Sequence, residues 1–203
     1  MRIGIFGGTF DPVHTGHVKM AQYAKEEFRL DKIAFVPNGN PPHKRDKLIE
    51  DYSHRFNMLK LATEKNADFT VSDYESKGGR YYYSLHTMRH FRSVYGEETY
   101  FIIGADSLMT IHEWYEYEAL LKENKFIVFL RDDSDGFYKR VEQYRALGAQ
   151  IHVSGMKEVE VSSTDIRQRI RTSDDVLGIV DKRVYEYIVK NGLYGGNHDA
   201  NGD

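Results

Sequence analysis

The sequence predicts a doubly wound α/β fold, in which a parallel sheet is covered by helices on both faces. Short runs of three to five apolar or β-forming residues alternate along the chain with longer segments of helical periodicity. The clearest of these runs are continuous in their apolar character, as expected of strands that are buried on both faces. A chain of 203 residues, 40% of them hydrophobic, is long enough to bury one core of this kind.

Six elements are predicted in the first half of the chain. The first apolar run ends at Gly7, and the second ends at Pro37, which lacks the N–H that a sheet interior needs. Apolar residues at helical spacing, such as Val18, Ala21 and Ala24, mark the segments between the runs. In chain order, the predictions are a strand at 3–6, a helix at 17–28, a strand at 33–36, a helix at 53–64, a strand at 69–71 and a helix at 84–95.

Seven elements are predicted in the second half. The strongest β signals of the chain are TYFII at 99–103 and FIVFL at 126–130, and the last helix ends at Asn191 and Gly192. The predictions are strands at 99–103, 126–130 and 151–153, and helices at 116–122, 137–147, 163–171 and 183–190. No repeat or linker divides the chain, so residues 1–194 are expected to form one domain and the polar residues 195–203 a disordered tail.

Composition excludes several classes of function. The absence of cysteine excludes disulfide scaffolds, thiolate zinc sites, iron–sulfur clusters and cysteine nucleophiles. The net charge of −3 disfavours a nucleic-acid binder, because such proteins usually carry a basic surface. The sequence contains no apolar run of about 18 residues, so no membrane span is predicted. Gly7 and Asp11 interrupt the N-terminal apolar run before a signal peptide could form. A cytoplasmic protein without a membrane or nucleic-acid partner is therefore expected, and a homo-oligomer is compatible with the sequence.

The segment that follows the first strand has the composition of a phosphate site. Residues 7–17 read GGTFDPVHTGH, and ligands of doubly wound sheets bind beyond the carboxyl ends of the strands. Gly7 and Gly8 let the backbone approach an anion, and the next helix offers free N–H groups and a positive dipole end. His14 and His17 are spaced so that both can point into one cleft. The two histidines could bind a metal ion, but the segment offers no obvious third ligand. They could also be ordinary packing residues. The histidine pair together with the two glycines favours a functional site.

A second candidate phosphate segment lies near the other end of the chain. Residues 161–167 read VSSTDIR, in which Ser162 and Ser163 can cap the helix that follows. Its free N–H groups, together with Arg167, would hold a triphosphate. The alternative is a capped surface helix with solvated arginines, which would be the better interpretation without the first segment.

These two segments resemble the two signatures of the nucleotidyltransferase superfamily. Residues 7–17 are similar to the first core pattern, Thr/Ser-Phe-Asp-Pro-x-His-x-Gly-His, and residues 161–167 to the second, Ile-Ser-Ser-Thr-x-Ile-Arg. Members move a nucleoside monophosphate from a nucleoside triphosphate to a phosphate acceptor and release pyrophosphate. The resemblance implies a Rossmann-like nucleotidyltransferase fold and an ATP site formed by Gly7, Gly8, Thr9, Phe10, His14, His17, Ser162, Ser163 and Arg167.

Three further stretches resemble the bacterial nicotinate-mononucleotide adenylyltransferases within that superfamily. They are PNGNPPHK at 37–44, YYSLHT at 82–87, and GAD at 104–106 followed eight residues later by Trp114. They stand where the family has Pro-x-x-x-Pro-Pro-His-Lys, Ser-Tyr-Thr-x-x-Thr and Gly-x-Asp…Trp. The ending NGLY at 191–194 is also similar, so the resemblance spans residues 1–194.

Two residues depart from the family pattern. Tyr82 stands where the family has serine, and Ser84 where it has threonine, which keeps the hydroxyl. The resemblance implies that the chain transfers the adenylyl group of ATP to nicotinate mononucleotide in NAD biosynthesis. Another adenylyltransferase, of the phosphopantetheine type, and a non-catalytic nucleotide sensor are the alternatives. The intact histidines and Arg167 disfavour the sensor.

The resemblance also assigns roles to particular residues. The acceptor phosphate is already anionic, so the protein has to position the reactants and neutralise charge rather than supply a nucleophile. Mg²⁺ is expected to travel with ATP, held by phosphate oxygens and water, without a protein metal site. The catalytic candidates are His14, His17, Lys44 and Arg167, and the candidates for binding the acceptor nucleotide are Asn38, Lys44, Tyr83, Thr87, Asp106 and Trp114, with Trp114 stacking on the pyridine ring.

Overall fold

A six-stranded parallel sheet forms the centre of the computed structural model, which describes residues 1–39, 49–76, 81–130, 136–157, 161–172 and 174–195. The strands are β1 Ile3–Gly8, β2 Lys32–Pro37, β3 Phe69–Val71, β4 Thr99–Gly104, β5 Lys125–Leu130 and β6 Gln150–Lys157. Their order across the sheet is β3-β2-β1-β4-β5-β6, and every neighbouring pair is parallel. In the register of the central strands, Ile5 of β1 stands opposite Ala34 of β2 and Phe101 of β4.

Eight α-helices connect or follow the strands within the described ranges. They are α1 Thr15–Glu27, α2 Tyr52–Thr63, α3 Ser84–Tyr95, α4 Ala105–Met109, α5 Tyr117–Glu123, α6 Phe137–Ala146, α7 Ser163–Arg171 and α8 Lys182–Lys190. Single 3-10 turns lie at Ile111–Glu113 and Leu193–Gly195. These helices are too short or too polar to cross a membrane.

Side chains from alternate positions of β1, β2, β4 and β5 enter two separate hydrophobic layers. Phe6 of β1 belongs to the first layer, together with buried residues of α1, α2, α7 and α8. Ile5 points to the opposite face and joins a second layer with α3, α4, α5 and α6. Since both faces are covered, these four strands are apolar at successive positions, which confirms the predicted doubly wound fold.

The six predicted strands and seven predicted helices are all present. Helix α4 and the 3-10 turn at Ile111–Glu113 were not predicted, because pieces of five and three residues are too short to show helical periodicity. Strand β6 is longer than the predicted 151–153, since it continues past Gly155. The proposed boundary of the domain at 194 remains a prediction, because residues 196–203 of the tail lie outside the described ranges.

The strand order locates the crevice where ligands of such sheets bind. From β1 the chain proceeds to β2 and β3 on one side, and then returns to place β4 on the other side of β1. The crossovers on the two sides diverge, which opens a space beyond the carboxyl ends of β1 and β4. Gly8 and Gly104 are the last residues of these two strands.

Candidate active site

A cavity of about 330 Å³ lies at the carboxyl ends of β1 and β4, a size suited to a small ligand. Its walls come from the segments that follow β1, β2 and β3 and from α3, α4 and the turn after α4. The predicted site residues among its lining are Gly7, Gly8, Thr9, Asn38, Thr87 and Trp114. Residues that are distant in the sequence are therefore brought together at one opening.

The two histidines of the first motif lie against each other at the start of α1. Their rings stack with centroids 3.7 Å apart and planes inclined by 29°. The backbone N–H of His14 donates to Nδ1 of His17 over 3.2 Å. Because Nδ1 accepts this hydrogen bond, the neutral His17 ring carries its proton on Nε2, where it can donate to a ligand.

The electrostatic surroundings of His17 favour that neutral form. Removal of the ring from water lowers the pKa of His17 well below its ordinary value, and the adjacent His14 lowers it further. At neutral pH, His17 is therefore an uncharged hydrogen-bond donor. Its Nε2–H can donate directly to a phosphate oxygen.

Phe10 shapes the backbone on which these histidines are carried. It adopts a φ of +52°, in the left-handed region that side-chain-bearing residues rarely occupy, and its ring is buried. The ring lies edge-on to His17, with centroids 5.0 Å apart, and it folds back over Gly8. A Cβ at Gly8 would lie 2.9 Å from the Phe10 ring, so glycine at this position leaves the space that the ring occupies.

The second motif meets the first through hydrogen bonds from α7. Arg167 donates from Nη1 to the backbone carbonyl of Asp11 over 2.7 Å. Ser163 donates from Oγ to the carbonyl of Pro12 over 2.9 Å. Two segments about 150 residues apart are therefore joined at the loop that leads to His14.

The two serines of the second motif have different functions in the fold. Ser162 is the N-cap of α7, since its Oγ accepts from the Asp165 N–H over 3.1 Å. The prediction that Ser163 shares this capping role is wrong. Ser163 is the first helical residue, and its hydroxyl is directed to Pro12 instead.

The predicted acceptor residues do not all line the cavity. Asn38, Thr87 and the partly buried Trp114 line it. Tyr83 is partly buried and stacks on Tyr115, with centroids 4.3 Å apart, outside that lining. Asp106 is exposed in the first turn of α4, also outside it. Lys44 lies outside the described residues, and the binding roles of all these residues remain predictions.

Sequence reasoning missed a buried carboxylate in the cavity wall. Glu75 is 6% exposed and accepts hydrogen bonds from Thr87 Oγ1 at 2.6 Å and from the Gly39 N–H at 3.0 Å. Burial raises its pKa, although the two hydrogen bonds oppose that effect. Glu75 joins the segments after β2 and β3 to α3. A single glutamate in a loop offered no local signal of this role.

The sequence also did not indicate that Arg55 and Tyr194 belong to the site. The buried Arg55 side chain donates to the carbonyl of Thr9 over 2.9 Å, and the Tyr194 hydroxyl donates to Asp11 over 2.7 Å. Both therefore support the loop that carries the first motif. Tyr194 belongs to the NGLY ending noted in the sequence, whereas Arg55 lies in an ordinary helical pattern.

Within the described ranges, no group of three or more histidine and acidic side chains is arranged to hold a metal ion. The carboxylate of Asp11, the acidic residue of the first motif, is engaged by Tyr194 and lies 3.8 Å from Arg167. Beside this carboxylate, the site carries hydrogen-bond donors in the His17 ring, the Arg167 guanidinium and the start of α7. Their chemistry is suited to binding an anion.

Comparison with known proteins defines the class first. Residues 5–169 match the family model described as "Cytidylyltransferase-like". A solved structure of Plasmodium falciparum nicotinic acid mononucleotide adenylyltransferase complexed with NaAD shares the fold, with a TM-score of 0.80 at 21% identity over 97% of this chain and 98% of that one. The same protein complexed with APC gives a TM-score of 0.78 at 20% identity, with the same shares of the two chains covered.

Closer relatives define the particular family. A protein of Caldicellulosiruptor saccharolyticus named "Probable nicotinate-nucleotide adenylyltransferase" is 40% identical over 200 residues, covering 96% of this chain and 99% of its own length. A protein of Clostridium tetani with the same name is 40% identical over 195 residues, covering 94% and 97%. The chain belongs to the family of the nicotinate-nucleotide adenylyltransferases.

Proposed function

We propose that this chain transfers the adenylyl group of ATP to nicotinate mononucleotide, forming nicotinate adenine dinucleotide and pyrophosphate. The observation that carries the proposal is the junction of the two motifs. Hydrogen bonds from Arg167 and Ser163 hold the Asp11–Pro12 backbone, two residues before the stacked histidines. This junction lies beside a cavity at the switch point of the sheet, which accommodates the second substrate.

The reaction requires the protein to neutralise the charge of the phosphates, and it does not require a covalent bond between protein and substrate. An oxygen of the acceptor phosphate attacks the α-phosphorus of ATP, a new P–O bond forms, and the bond to the β-phosphate breaks to release pyrophosphate. His17 donates through Nε2 to a phosphate oxygen at the reacting centre, and His14 lies beside it. Arg167 and the N-terminal end of α7 bind the β- and γ-phosphates.

Mg²⁺ fits this scheme as a companion of ATP. It would be held by phosphate oxygens and water, and it would supply further neutralisation of the charge on the triphosphate. The described residues offer a cluster of donors rather than a set of protein ligands for the ion. Lys44, from the segment after Asn38, would add a further positive charge at the phosphates.

The cavity supplies the acceptor site. Trp114 offers a flat face to the pyridine ring, and Asn38 and Thr87 offer polar groups on other walls. Tyr83 and Asp106, just outside the cavity lining, would contact the outer parts of the nucleotide. The neighbouring Glu75 carboxylate already accepts hydrogen bonds from Thr87 and Gly39, so its role is to hold the cavity wall in place and not to bind the ligand.

Pyrophosphate release tests the acceptor directly. Purified protein is incubated with ATP, Mg²⁺ and one acceptor at a time: nicotinate mononucleotide, nicotinamide mononucleotide or phosphopantetheine. We expect turnover with nicotinate mononucleotide. Turnover with phosphopantetheine alone would contradict the proposal and indicate the other adenylyltransferase class.

The variant His17→Ala tests the reacting centre. It removes the donor at Nε2, so we expect kcat to fall by about 10²- to 10³-fold while the circular dichroism spectrum is unchanged. His152→Ala is the matched control, because His152 lies on β6 against Phe28, with ring centroids 5.9 Å apart. Near-normal turnover in His17→Ala would contradict the assigned role.

A further inference from the structure

The carboxylate of Asp11 is held by a residue from the far end of the chain. Asp11 is 4% exposed, and its Oδ1 accepts a 2.7 Å hydrogen bond from the hydroxyl of Tyr194, which is 6% exposed. The two residues are 183 positions apart. A buried carboxylate depends on such donors, because leaving one of its oxygens without a partner is costly.

Other groups converge on the same carboxylate and its backbone. The Glu50 N–H lies 3.4 Å from Oδ1, and Arg167 Nη1 lies 3.8 Å from Oδ2. The same Arg167 nitrogen donates to the Asp11 carbonyl over 2.7 Å. Asp11 therefore connects the C-terminal end of the chain to the arginine of α7.

The backbone at Tyr194 is held in an uncommon conformation. Its φ is +60°, in the left-handed region, inside the 3-10 turn Leu193–Gly195. Its N–H lies 3.4 Å from Oε1 of Glu50, so the backbone and the side chain are restrained by neighbours in the same cluster. A left-handed tyrosine is maintained only where its surroundings determine it.

We propose that Tyr194 is a positioning residue for the phosphate-binding loop: its hydroxyl holds Asp11, and through Asp11 it sets the placement of the His14–His17 pair and of Arg167. This inference rests on the proposed function. Tyr194 has no reacting role of its own. Burial and the Asp11 carboxylate raise its pKa, so the hydroxyl remains a neutral donor over the working pH range.

The consequence of losing this hydroxyl follows from the geometry. Tyr194→Phe keeps the ring in its packed position but removes the donor to Asp11. The carboxylate then has to turn toward Arg167 or toward water, and the loop that leads to His14 moves with it. Displacements of about 1 Å at groups that position a substrate can reduce turnover by about 100-fold.

A second tyrosine provides a matched control. The Tyr187 hydroxyl lies 2.9 Å from Nδ1 of His54 and accepts from Nδ2 of Asn57 over 3.2 Å, so it joins α8 to α2. Tyr187→Phe also removes one hydrogen-bonding hydroxyl between two helices. We expect both variants to lower the thermal midpoint, because Tyr187→Phe loses two hydrogen bonds and Tyr194→Phe loses one to a buried carboxylate.

The experiment measures kcat and KM with ATP and nicotinate mononucleotide, and the Kd for ATP by calorimetry without the acceptor. In Tyr194→Phe we expect kcat to fall and the Kd for ATP to rise, each by about tenfold, whereas Tyr187→Phe stays within about twofold of the unaltered chain. In an Asp11→Asn background, the loss caused by Tyr194→Phe should be smaller, because both residues act through one contact.

Equal kinetics and equal ATP affinity in the two tyrosine variants would overturn the inference and leave the proposed function standing. Absence of turnover in the unaltered chain would instead contradict the proposed function. The calorimetric comparison would then still decide the role of Tyr194, and failure of the unaltered chain to bind ATP would overturn both.

Discussion

His17 shows how the backbone can set the state of a single side chain. Its Nδ1 is occupied by the His14 N–H, and its pKa is lowered because the ring is withdrawn from water beside a second imidazole. Tautomer and charge are therefore both determined before any ligand binds. This arrangement keeps Nε2 available as a donor at neutral pH.

The lowered pKa makes the stability of the fold depend on pH. In the unfolded chain His17 takes up a proton as the pH falls through about 6.5, whereas in the folded chain it remains neutral. The unfolded state then binds more protons, so the free energy of unfolding falls as the pH is lowered from about 7 to about 5. Urea unfolding of the unaltered chain and of His17→Gln over this range measures the effect.

We expect a shallower decrease in the glutamine variant. The pKa of His152 is also lowered, mainly by burial, and the pKa of Glu75 is raised, also mainly by burial. Both groups are present in the two proteins, so the difference between the two curves isolates His17. Parallel curves would show that His17 titrates equally in the folded and unfolded chains.

At the level of elements, α7 depends on its surroundings for its position. It has nine residues, and a helix of this length is marginal in isolation. Ile166 and Ile170 bury one face of it in the first hydrophobic layer, and Ser162 caps its start. The placement of Arg167 therefore follows from the packing and the cap of the helix that carries it.

Removing that cap should loosen the helix and the arginine together. We expect Ser162→Ala to lower the free energy of unfolding by about 1 kcal/mol and to raise the KM for ATP. Asp181→Ala is the control, because Asp181 caps α8 by accepting from the Arg183 N–H over 2.9 Å. It should cost a comparable amount of stability with little change in KM, as urea unfolding and initial rates would show. An equal rise in KM in both variants would argue against a local effect of the cap.

At the scale of the whole molecule, the first hydrophobic layer connects the sheet to the loop that follows β1. The fully buried ring of Phe35 on β2 lies 5.4 Å from that of Phe6, 5.8 Å from that of Phe10 and 5.5 Å from that of Phe69. These aromatic contacts span three neighbouring strands and the loop beyond β1. Core packing and the geometry of the loop are therefore not independent.

Truncating the Phe35 ring should therefore affect both the core packing and the geometry of the loop. Phe35→Ala should lower the free energy of unfolding by about 3–5 kcal/mol, and it should raise the Kd for ATP, since the Phe10 ring loses a neighbour. Phe137→Ala removes a fully buried ring from the second layer and should cost similar stability without changing that Kd. Chemical denaturation and calorimetry on the two variants would test the coupling, and an unchanged Kd in Phe35→Ala would refute it.

The sequence by itself determined the six described strands, seven of the eight described helices and the first motif. Runs such as FIVFL at 126–130 form strands and the segment at 137–147 forms a helix because their patterns are local, repeated over several residues and matched to one secondary structure. The stacked histidines likewise follow from a spacing of three residues at one helix start. Family membership was also predictable, because the motifs that carry it are contiguous in the chain.

Only the tertiary structure decided how distant residues meet. The hydrogen bond from Tyr194 to Asp11 and the junction of Glu75 with Thr87 depend on the strand order, which no local pattern encodes. The stacking of Tyr83 on Tyr115, outside the cavity lining, is likewise a tertiary contact, and the predicted binding of the acceptor by Tyr83 remains a prediction. The physical reason is that these contacts arise from burying two faces of one sheet at once, so each depends on the packing of the whole chain.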